Sequence, residues 1–259
     1  MKIALAQIDI VWEDKAANLS KAGELISSAA SNGCDVIALP EMFNSGFSMN
    51  HSAFAEEGLG ETSALLSESA KKHEIYVIAG YAIKSPHEEK ARNMAFVFDK
   101  KGLLTATYTK MRPFSFASED KHYIAGEHTA LFDIDGTPSS VFICYDLRFP
   151  ELFRQVAREI QTIFVIANWP SSRKEHWLTL LKARAIENQC FIIGVNRRGT
   201  DNNGIEHPGA SIVIDPSGNM LCLGDEKDEL VVCEIAPDES VRVRSQFPFL
   251  NDIKLDVKT

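Results

Sequence analysis

The chain has no apolar segment of membrane-spanning length and no signal-peptide layout in its first residues, so we expect a soluble protein. It is also poor in positive charge: 27 lysines and arginines stand against 36 aspartates and glutamates, and the formal net charge is −9. The basic residues are scattered, which disfavours nucleic acid or an anionic membrane as a partner. We therefore expect a small-molecule partner.

Cysteine and histidine give no indication of a disulfide framework or a metal site. The five cysteines are odd in number and include no Cys-x-x-Cys pair, which fits a reducing compartment, and we expect a cytoplasmic protein. The seven histidines show no metal-ligand spacing. We therefore expect neither a metal nor a cofactor.

The chain also lacks a linker rich in Pro, Gly or Ser and a repeat of solenoid period, so residues 1–259 are expected to form one domain. Apolar periodicity predicts helices at about 16–31, 61–73, 150 onward and 173–189. It predicts hairpins over 93–108 and 130–143, and strands at 2–10, 35–39, 75–81, 162–167 and 191–196, with a terminal pair at 212–214 and 230–235. Helices between strands cover sheet faces and hairpins make the sheets mixed, so the pattern predicts a layered α/β sandwich.

Three of the predicted strands end in an ionisable residue. The run Ser139-Ser-Val-Phe-Ile is followed by Cys144, the run Val36-Ile-Ala-Leu-Pro by Glu41, and the run Leu103-Leu-Thr-Ala-Thr-Tyr-Thr by Lys110. Each signal alone also fits a core cysteine, a turn glutamate or a solvated lysine. Together, a thiol, a carboxylate and an ammonium at strand ends predict one catalytic site.

These three groups are suited to acyl transfer without a metal or a histidine. A thiol at neutral pH is mostly protonated, so Cys144 needs a base, and Glu41 is the candidate. We expect burial beside Met42 and Phe43 to raise the pKa of Glu41 into the useful range. Lys110 and the backbone N–H of Tyr145 would stabilise the oxyanion, a contribution of roughly 3–4 kcal/mol for one such donor.

The segments that carry these residues resemble the three signature blocks of the nitrilase superfamily of carbon–nitrogen hydrolases. They are Leu39-Pro-Glu-Met-Phe43, Tyr108-Thr-Lys110 and Ile143-Cys-Tyr-Asp-Leu-Arg-Phe-Pro-Glu151, in the family's order and at fitting separations. Further blocks, Ala167-Asn-Trp-Pro170, His176-Trp177 and 183–191, resemble the ω-amidase branch more than nitrilases proper. The resemblance covers nearly the whole chain.

The resemblance implies a single-domain, four-layer αββα sandwich and a role for each matched residue. It makes Glu41 the general base, Lys110 the oxyanion residue and Cys144 the nucleophile, and it places Glu119 where the family has a second active-site glutamate. It also raises the expectation that Phe114, Asn168 and Trp169 line the pocket.

Two departures from the family pattern concern the pocket wall. Arg112-Pro-Phe114 stands where many relatives have His-Leu-Phe, and Gly209-Ala-Ser211 stands where relatives often have Gly-His-Ser. A substrate with a free carboxylate needs a further polar donor, and the candidates are Arg112, Asn168 and Arg173. Arg148 and Glu151, next to the nucleophile, are expected to hold the turn by ion pairing rather than to bind substrate.

The resemblance implies an amidase that forms a thioester at Cys144 and releases ammonia from short dicarboxylate monoamides such as 2-oxoglutaramate or 2-oxosuccinamate. An N-carbamoyl amino acid amidohydrolase can use the same four residues. A catalytically silent binding or scaffold relative is the alternative from another class, which the intact set of four disfavours. Neither the acyl chain length nor the pathway follows from the sequence.

The C-terminal tail, residues 247–259, has no helical or strand period. Its apolar residues have no evident element of their own chain to cover them: Phe247, Phe249, Leu250 and Ile253. The resemblance implies a second copy that exchanges tails with the first, so we expect a homodimer.

Overall fold

The computed structural model describes residues 1–254. Its strands are, in chain order, β1 (Lys2–Ala6), β2 (Val36–Ala38), β3 (Glu56–Glu57), β4 (Tyr76–Lys84), β5 (Ala91–Phe98), β6 (Leu104–Thr109), β7 (Leu131–Ile134), β8 (Thr137–Ile143), β9 (Thr162–Ala167), β10 (Phe191–Asn196), β11 (Arg198–Thr200), β12 (Glu206–Pro208), β13 (Ile212–Ile214), β14 (Met220–Leu223) and β15 (Leu230–Glu234). Its α-helices are α1 (Lys15–Ser31), α2 (His51–Phe54), α3 (Glu61–His73), α4 (Glu119–His122), α5 (Pro150–Val156), α6 (Lys174–Asn188) and α7 (Asp238–Gln246). Four 3-10 segments lie at Ser115–Ala117, Cys144–Arg148, Ser171–Arg173 and Phe249–Asp252.

The strands form two large mixed sheets and one small ribbon. The first sheet has the order β15-β1-β2-β4-β5-β6, with β3 paired to β4, and the second has the order β14-β13-β10-β9-β8-β7. In the first sheet β1, β2 and β4 are parallel to one another. Strand β15 is antiparallel to β1, β5 to β4, and β6 to β5. In the second, β8, β9 and β10 are parallel. Strands β11 and β12 form the separate two-stranded ribbon, and an isolated bridge joins Arg198 of β11 to Asp9.

Alternation along the strands of the first sheet separates two hydrophobic layers. Ile3 and Leu5 of β1 belong to the core between the two sheets, whereas Ala4 and Ala6 face the cluster that contains Leu19, Leu25 and Leu66 of the helices α1 and α3. Side chains of a strand point alternately to opposite faces, so this sheet is buried on both sides.

Helices α5 and α6 cover the outer face of the second sheet. They contribute the buried residues Leu152, Phe153, Trp177 and Leu181 to the same core as β8, β9 and β10. The layers therefore run helix, sheet, sheet, helix. The predicted single-domain αββα sandwich is confirmed.

Several elements at the C-terminal end differ from the sequence prediction. The two terminal strands are not a pair, because β13 lies in the second sheet and β15 in the first. The helix α7 and the edge strand β14 were not predicted. The tail is also partly covered by its own chain: Leu250 is 6% exposed, and the Arg158 guanidinium donates to the carbonyl oxygens of Leu250 and Ile253.

The topology brings the predicted strand ends to one region. Because β6 runs parallel to β2 and β4, Glu41 after β2 and Lys110 after β6 leave the first sheet at the same edge. Cys144 and Asn168 likewise follow the parallel strands β8 and β9 of the second sheet. Within residues 1–254, no helix combines the length and apolar character needed to cross a bilayer.

Candidate active site

Cys144 occupies a sharp turn between β8 and the 3-10 segment that leads into α5. Its φ angle is 47°, in the left-handed region that residues other than glycine rarely adopt. The buried Asp146 carboxylate fixes the turn by accepting hydrogen bonds from Ile143 N at 3.0 Å, Arg112 N at 2.8 Å and the Tyr108 hydroxyl at 2.8 Å. The Cys144 thiol faces the Asn168 carbonyl oxygen at 3.9 Å.

Glu41 is fully buried and accepts hydrogen bonds at both carboxylate oxygens. Its Oε1 accepts from Lys110 Nζ at 2.8 Å and from Asn93 Nδ2 at 2.7 Å, and its Oε2 accepts from Asn168 N at 2.9 Å. The Asn168 side chain also donates to the Glu41 carbonyl oxygen at 2.6 Å. Residues that follow β2, β6 and β9 thereby form one network across both sheets.

Lys110 lies between two carboxylates. Its Nζ atom is 2.8 Å from Glu41 Oε1 and 2.8 Å from Glu119 Oε2, and all three side chains are at most 1% exposed. Glu119 begins the short helix α4, and its Oε2 also accepts the Phe114 backbone N–H. The structure therefore brings Glu41, Lys110, Glu119 and Cys144 into one site.

The charges of this network determine the protonation of its members. Burial would raise the pKa of Glu41, but the Lys110 charge and the hydrogen bonds from Lys110, Asn93 and Asn168 outweigh it and hold that pKa below its ordinary value. The expectation of a net rise of the Glu41 pKa into the useful range was therefore wrong. Burial and the Glu41 charge raise the pKa of the Cys144 thiol. The resting site thus pairs a neutral thiol with an ionised carboxylate.

Lys110 retains its proton in this environment. Burial opposes the charge, but the carboxylates of Glu119 and Glu41 outweigh it and raise the pKa of Lys110 well above its ordinary value. A buried ammonium between two carboxylates remains a cation throughout the physiological pH range. The site therefore holds a fixed positive charge beside the thiol.

A cavity of about 360 Å³ opens over Cys144. The residues around it are mostly aromatic or apolar, and they are Trp12, Phe47, Met49, Phe114, Ala117, Cys144, Tyr145, Arg148, Asn168, Trp169, Pro170, Arg173, Asp201, Asn203, Ile205 and His207. Among the predicted binding residues, Phe114, Tyr145, Asn168, Trp169 and Arg173 line it. The last four residues of the list belong to the β11–β12 ribbon and its loop, which sequence reasoning did not connect with the site.

Two arginines of the cavity wall have no carboxylate partner within residues 1–254. The Arg148 guanidinium lies 5.0 Å from the Trp169 ring and 3.2 Å from His176 Nδ1, and the Arg173 guanidinium lies 5.8 Å from the Phe114 ring. Of the two residues expected to hold the turn by ion pairing, Glu151 lies 3.7 Å from the Arg112 guanidinium. Arg148 has no ion pair among the described residues and lines the cavity instead, so the expectation for Arg148 was wrong.

Arg112 does not line the cavity. Its guanidinium lies 3.7 Å from Glu151 and 5.4 Å from the Phe149 ring, and its backbone N–H donates to the Asp146 carboxylate. Asn93, by contrast, reaches Glu41 and Glu119 from the third residue of β5, where no sequence signal marks it. As far as the structure describes the chain, no group of three His, Cys, Asp or Glu side chains is arranged to hold a metal ion.

Comparison with known proteins gives consistent matches over the chain. A family model described as carbon–nitrogen hydrolase matches residues 2–245. The 2-oxoglutaramate amidase of Bacillus subtilis is 35% identical and aligns over 98% of each chain. The ω-amidase YafV of Escherichia coli K12 is 33% identical, over 97% of this chain and 96% of its own. A crystal structure of a CN-hydrolase superfamily protein from Xanthomonas campestris, with an arsenic adduct in its active site, is 32% identical and superposes with a TM-score of 0.93, covering 100% of this chain and 99% of its own.

Proposed function

Because the chain belongs to the carbon–nitrogen hydrolase family, we propose that it hydrolyses a linear amide through Cys144, with Glu41 as general base, Lys110 as oxyanion donor and Glu119 as the partner of Lys110. Glu41 and Lys110 contact each other at 2.8 Å, beside the turn that holds the thiol. A nucleophile, a base and a fixed cation at one site are the parts that acyl transfer needs.

In the first half of the reaction, Cys144 Sγ attacks the amide carbon while Glu41 takes the thiol proton. A transfer coupled to the attack suits this site, because the thiol is neutral and the carboxylate ionised before substrate binds. The oxyanion of the tetrahedral intermediate is stabilised by Lys110 Nζ and the Tyr145 N–H. Protonated Glu41 then gives its proton to the departing nitrogen, ammonia leaves, and the acyl group remains on Cys144 as a thioester.

In the second half, water attacks the thioester carbon. Glu41 takes a proton from the water, the same donors stabilise the second oxyanion, and the carbon–sulfur bond breaks. The sulfur regains a proton from Glu41, and the carboxylic acid product leaves. The sum is amide plus water giving carboxylic acid plus ammonia, which become carboxylate and ammonium in neutral water, with the protein unchanged.

The two arginines of the cavity wall are the main support for the proposed substrate class. In a protein with a net charge of −9, Arg148 and Arg173 face the cavity without a carboxylate partner among the described residues. A guanidinium in this position binds a carboxylate well. We therefore propose that the substrate is an amide whose other end is a carboxylate. The relatives named 2-oxoglutaramate amidase and ω-amidase support a short dicarboxylate monoamide.

An ammonia-release panel tests the substrate class. We expect 2-oxoglutaramate or 2-oxosuccinamate to be preferred over butyramide by about 100-fold or more in kcat/KM, because a site built for a polar group rejects analogues that lack it. Equal efficiency with butyramide would contradict the ω-amidase assignment while leaving amidase chemistry intact. Faster turnover of N-carbamoyl-β-alanine would favour the N-carbamoyl amino acid alternative, whose carboxylate the same arginines can bind.

Substitution of single arginines tests the proposed carboxylate site. We expect Arg148→Gln and Arg173→Gln to raise the KM for 2-oxoglutaramate about tenfold or more and to leave the slow turnover of butyramide unchanged. Arg112→Gln is the matched control, since Arg112 lies outside the cavity. An equal loss of kcat/KM with both substrates in the two cavity variants would show that these arginines stabilise the fold and do not determine substrate specificity.

We further propose a cytoplasmic homodimer. In each chain Phe247 is 45% and Phe249 is 65% exposed, at the start of the tail that the sequence predicted to pack on a partner. Residues 255–259 of that tail lie outside the described part of the chain. Exposed neighbouring phenylalanines are typical of a surface that is covered in an assembly.

A further inference from the structure

Asn93 contacts two carboxyl groups of the site, and none of the proposed chemical steps involves it. Its side-chain Nδ2 atom lies 2.7 Å from Glu41 Oε1 and 2.9 Å from Glu119 Oε1, and the residue is 1% exposed. A side-chain amide nitrogen carries two hydrogens, so both are used, one for each carboxylate. The Oδ1 atom has no partner within residues 1–254.

The backbone of Asn93 is tied to the same network. Its carbonyl oxygen accepts the Lys110 N–H at 2.9 Å, where the β5–β6 pairing ends. Asn93 therefore holds the backbone of Lys110 with its main chain and both carboxylate partners of Lys110 with its side chain. No other described side chain donates hydrogen bonds to both Glu41 and Glu119 except that of Lys110 itself.

The charges explain why such a residue is needed. The Glu41 and Glu119 side chains share one ammonium, that of Lys110, and all three groups are at most 1% exposed, so carboxyl groups outnumber cations in this buried network. Hydrogen bonds to ionised groups are the stronger kind, and a neutral donor stabilises both carboxylates without adding a second cation. A second cation would compete with Lys110 for Glu41 and alter the charge beside the thiol.

We infer that Asn93 is a positioning residue, which fixes the Glu41 carboxylate between Lys110 and the thiol and keeps it ionised for proton abstraction. The inference rests on the proposed roles of Glu41 and Cys144. Glu41 Oε1 is held by Lys110 and Asn93, and Oε2 by the Asn168 N–H, so the plane of the carboxylate is determined by three donors. Loss of one donor frees the carboxylate to rotate and weakens its ionised form.

The effect of Asn93 on protonation has a definite sign. Its hydrogen bond acts with Lys110 to lower the pKa of Glu41. The other titratable groups that interact with Glu41 are Lys110, Cys144 and Tyr123, and Glu119 acts through Lys110. With these unchanged, removal of the amide raises the pKa of Glu41, so the base is protonated at a higher pH.

The test uses Asn93→Leu, which keeps the side-chain size and removes both donors, and Asn93→Ser, which keeps one hydroxyl donor. The first measurement is the pH dependence of Cys144 alkylation by iodoacetamide in the full-length protein, because it needs no substrate. On the acidic side of this profile the alkylation rate falls as Glu41 becomes protonated. We expect this acid limb to shift to higher pH by about one unit in Asn93→Leu and by less in Asn93→Ser. The second is turnover of the best amide of the panel, where kcat should fall about 10- to 100-fold in Asn93→Leu while KM changes less than about threefold.

Asn188→Leu is the matched control, because Asn188 is also a fully buried asparagine, with its amide on the Arg184 carbonyl oxygen at the end of α6. It should lower thermal stability without moving the acid limb. An unshifted acid limb in both Asn93 variants would overturn the inference, and if Asn93→Leu does not fold, the result for Asn93→Ser decides. Absence of ammonia release from every amide would instead contradict the proposed function, and the alkylation profile would still be measurable.

Discussion

At the scale of single residues, two neighbouring turns hold side chains in conformations that residues other than glycine seldom adopt. Cys144 has a φ of 47°, and Met42, directly after Glu41, has a φ of 44°. Such backbone conformations cost of order 1–3 kcal/mol and persist only where surrounding contacts enforce them. Here the Asp146 carboxylate and the Asn168 side chain supply those contacts.

Cys144→Ala should abolish ammonia release, because covalent catalysis has no substitute for the missing sulfur. The variant should remain folded, since alanine tolerates the same turn about as well as cysteine and the Asp146 contacts are retained. Ammonia assays and thermal unfolding check the two halves of the prediction. Cys34→Ala, which removes a thiol distant from the cavity, is the control and should keep full activity; measurable turnover by Cys144→Ala would contradict the mechanism.

The sequence identified the residues that end strands and missed those that act from elsewhere. Glu41, Lys110 and Cys144 follow apolar runs, and this placement marks them without any alignment. Asn93 lies near the start of a strand, where a buried asparagine looks like any polar residue of a hairpin. Arg148 was predicted to hold the turn by ion pairing and not to bind substrate. A linear sequence cannot show whether a guanidinium beside a turn faces a carboxylate or a cavity.

At the scale of elements, β4 meets the Glu41 turn at a glycine. Gly80 donates to the Pro40 carbonyl oxygen and accepts from the Phe43 N–H, so its backbone holds both sides of Glu41. A Cβ atom at Gly80 would lie 2.8 Å from the Glu41 Cα and 2.8 Å from Ile166 Cδ1 of the other sheet. The lack of a side chain therefore allows the two sheets and the Glu41 turn to approach one another.

Gly80→Ala should lower kcat about tenfold or more, because the new methyl group displaces the Glu41 backbone and a shift of this size misaligns the reacting groups. Ammonia-release kinetics measure the effect. Gly23→Ala, in the middle of α1, where a Cβ would contact nothing within 4 Å, is the matched control. It should keep full activity and gain up to about 1 kcal/mol of stability, since alanine is the better helix former. A fully active Gly80→Ala would show that the turn tolerates displacement.

The β11–β12 ribbon should make the protein sensitive to acid through His207. Burial, with the nearby Arg197 charge, lowers the pKa of His207 to about 4. The unfolded pKa is about 6.5, so the neutral form is favoured in the fold, and this contribution is present above pH 6.5 and lost as the pH falls towards 4. The shift corresponds to about 3 kcal/mol.

Urea unfolding at pH 7 and pH 4.5 tests this contribution. The free energy of unfolding of His207→Asn should fall less between the two pH values than that of the wild type, while the exposed control His128→Gln should follow the wild type. Identical pH dependence in all three proteins would place the acid sensitivity elsewhere.

The long elements were predictable because each has an apolar period, whereas α7 and β14 have none that favours the observed structure. The sequence of α7, Asp-Glu-Ser-Val-Arg-Val-Arg-Ser-Gln, places its two valines at an alternating spacing and buries only Ser240. Contacts with the rest of the fold stabilise it instead: Arg244 donates to the carbonyl oxygens of Gln189 and Asn188 at the end of α6. Local pattern cannot reveal such partners.

At the scale of the whole molecule, we expect a dimer at micromolar concentration, measured by light scattering. Phe249→Asp should shift the mass towards that of the monomer, because a charge replaces an apolar side chain that is 65% exposed in the single chain. Leu103→Asp, which changes a residue that is 59% exposed on the β5–β6 hairpin, is the control and should leave the mass unchanged. A monomeric wild type would contradict the predicted role of the tail.

The division of the site between two sheets has a consequence for how the chain can be taken apart. Residues 1–123 contain Glu41, Asn93, Lys110 and Glu119, and residues 131–254 contain Cys144 and both cavity arginines. A cut in the intervening segment would leave one fragment with the base and the cation and the other with the nucleophile and the anion receptor. Neither fragment could turn over an amide, so enzymatic activity in a mixture would count reassembled molecules, and the protein could serve as a split reporter.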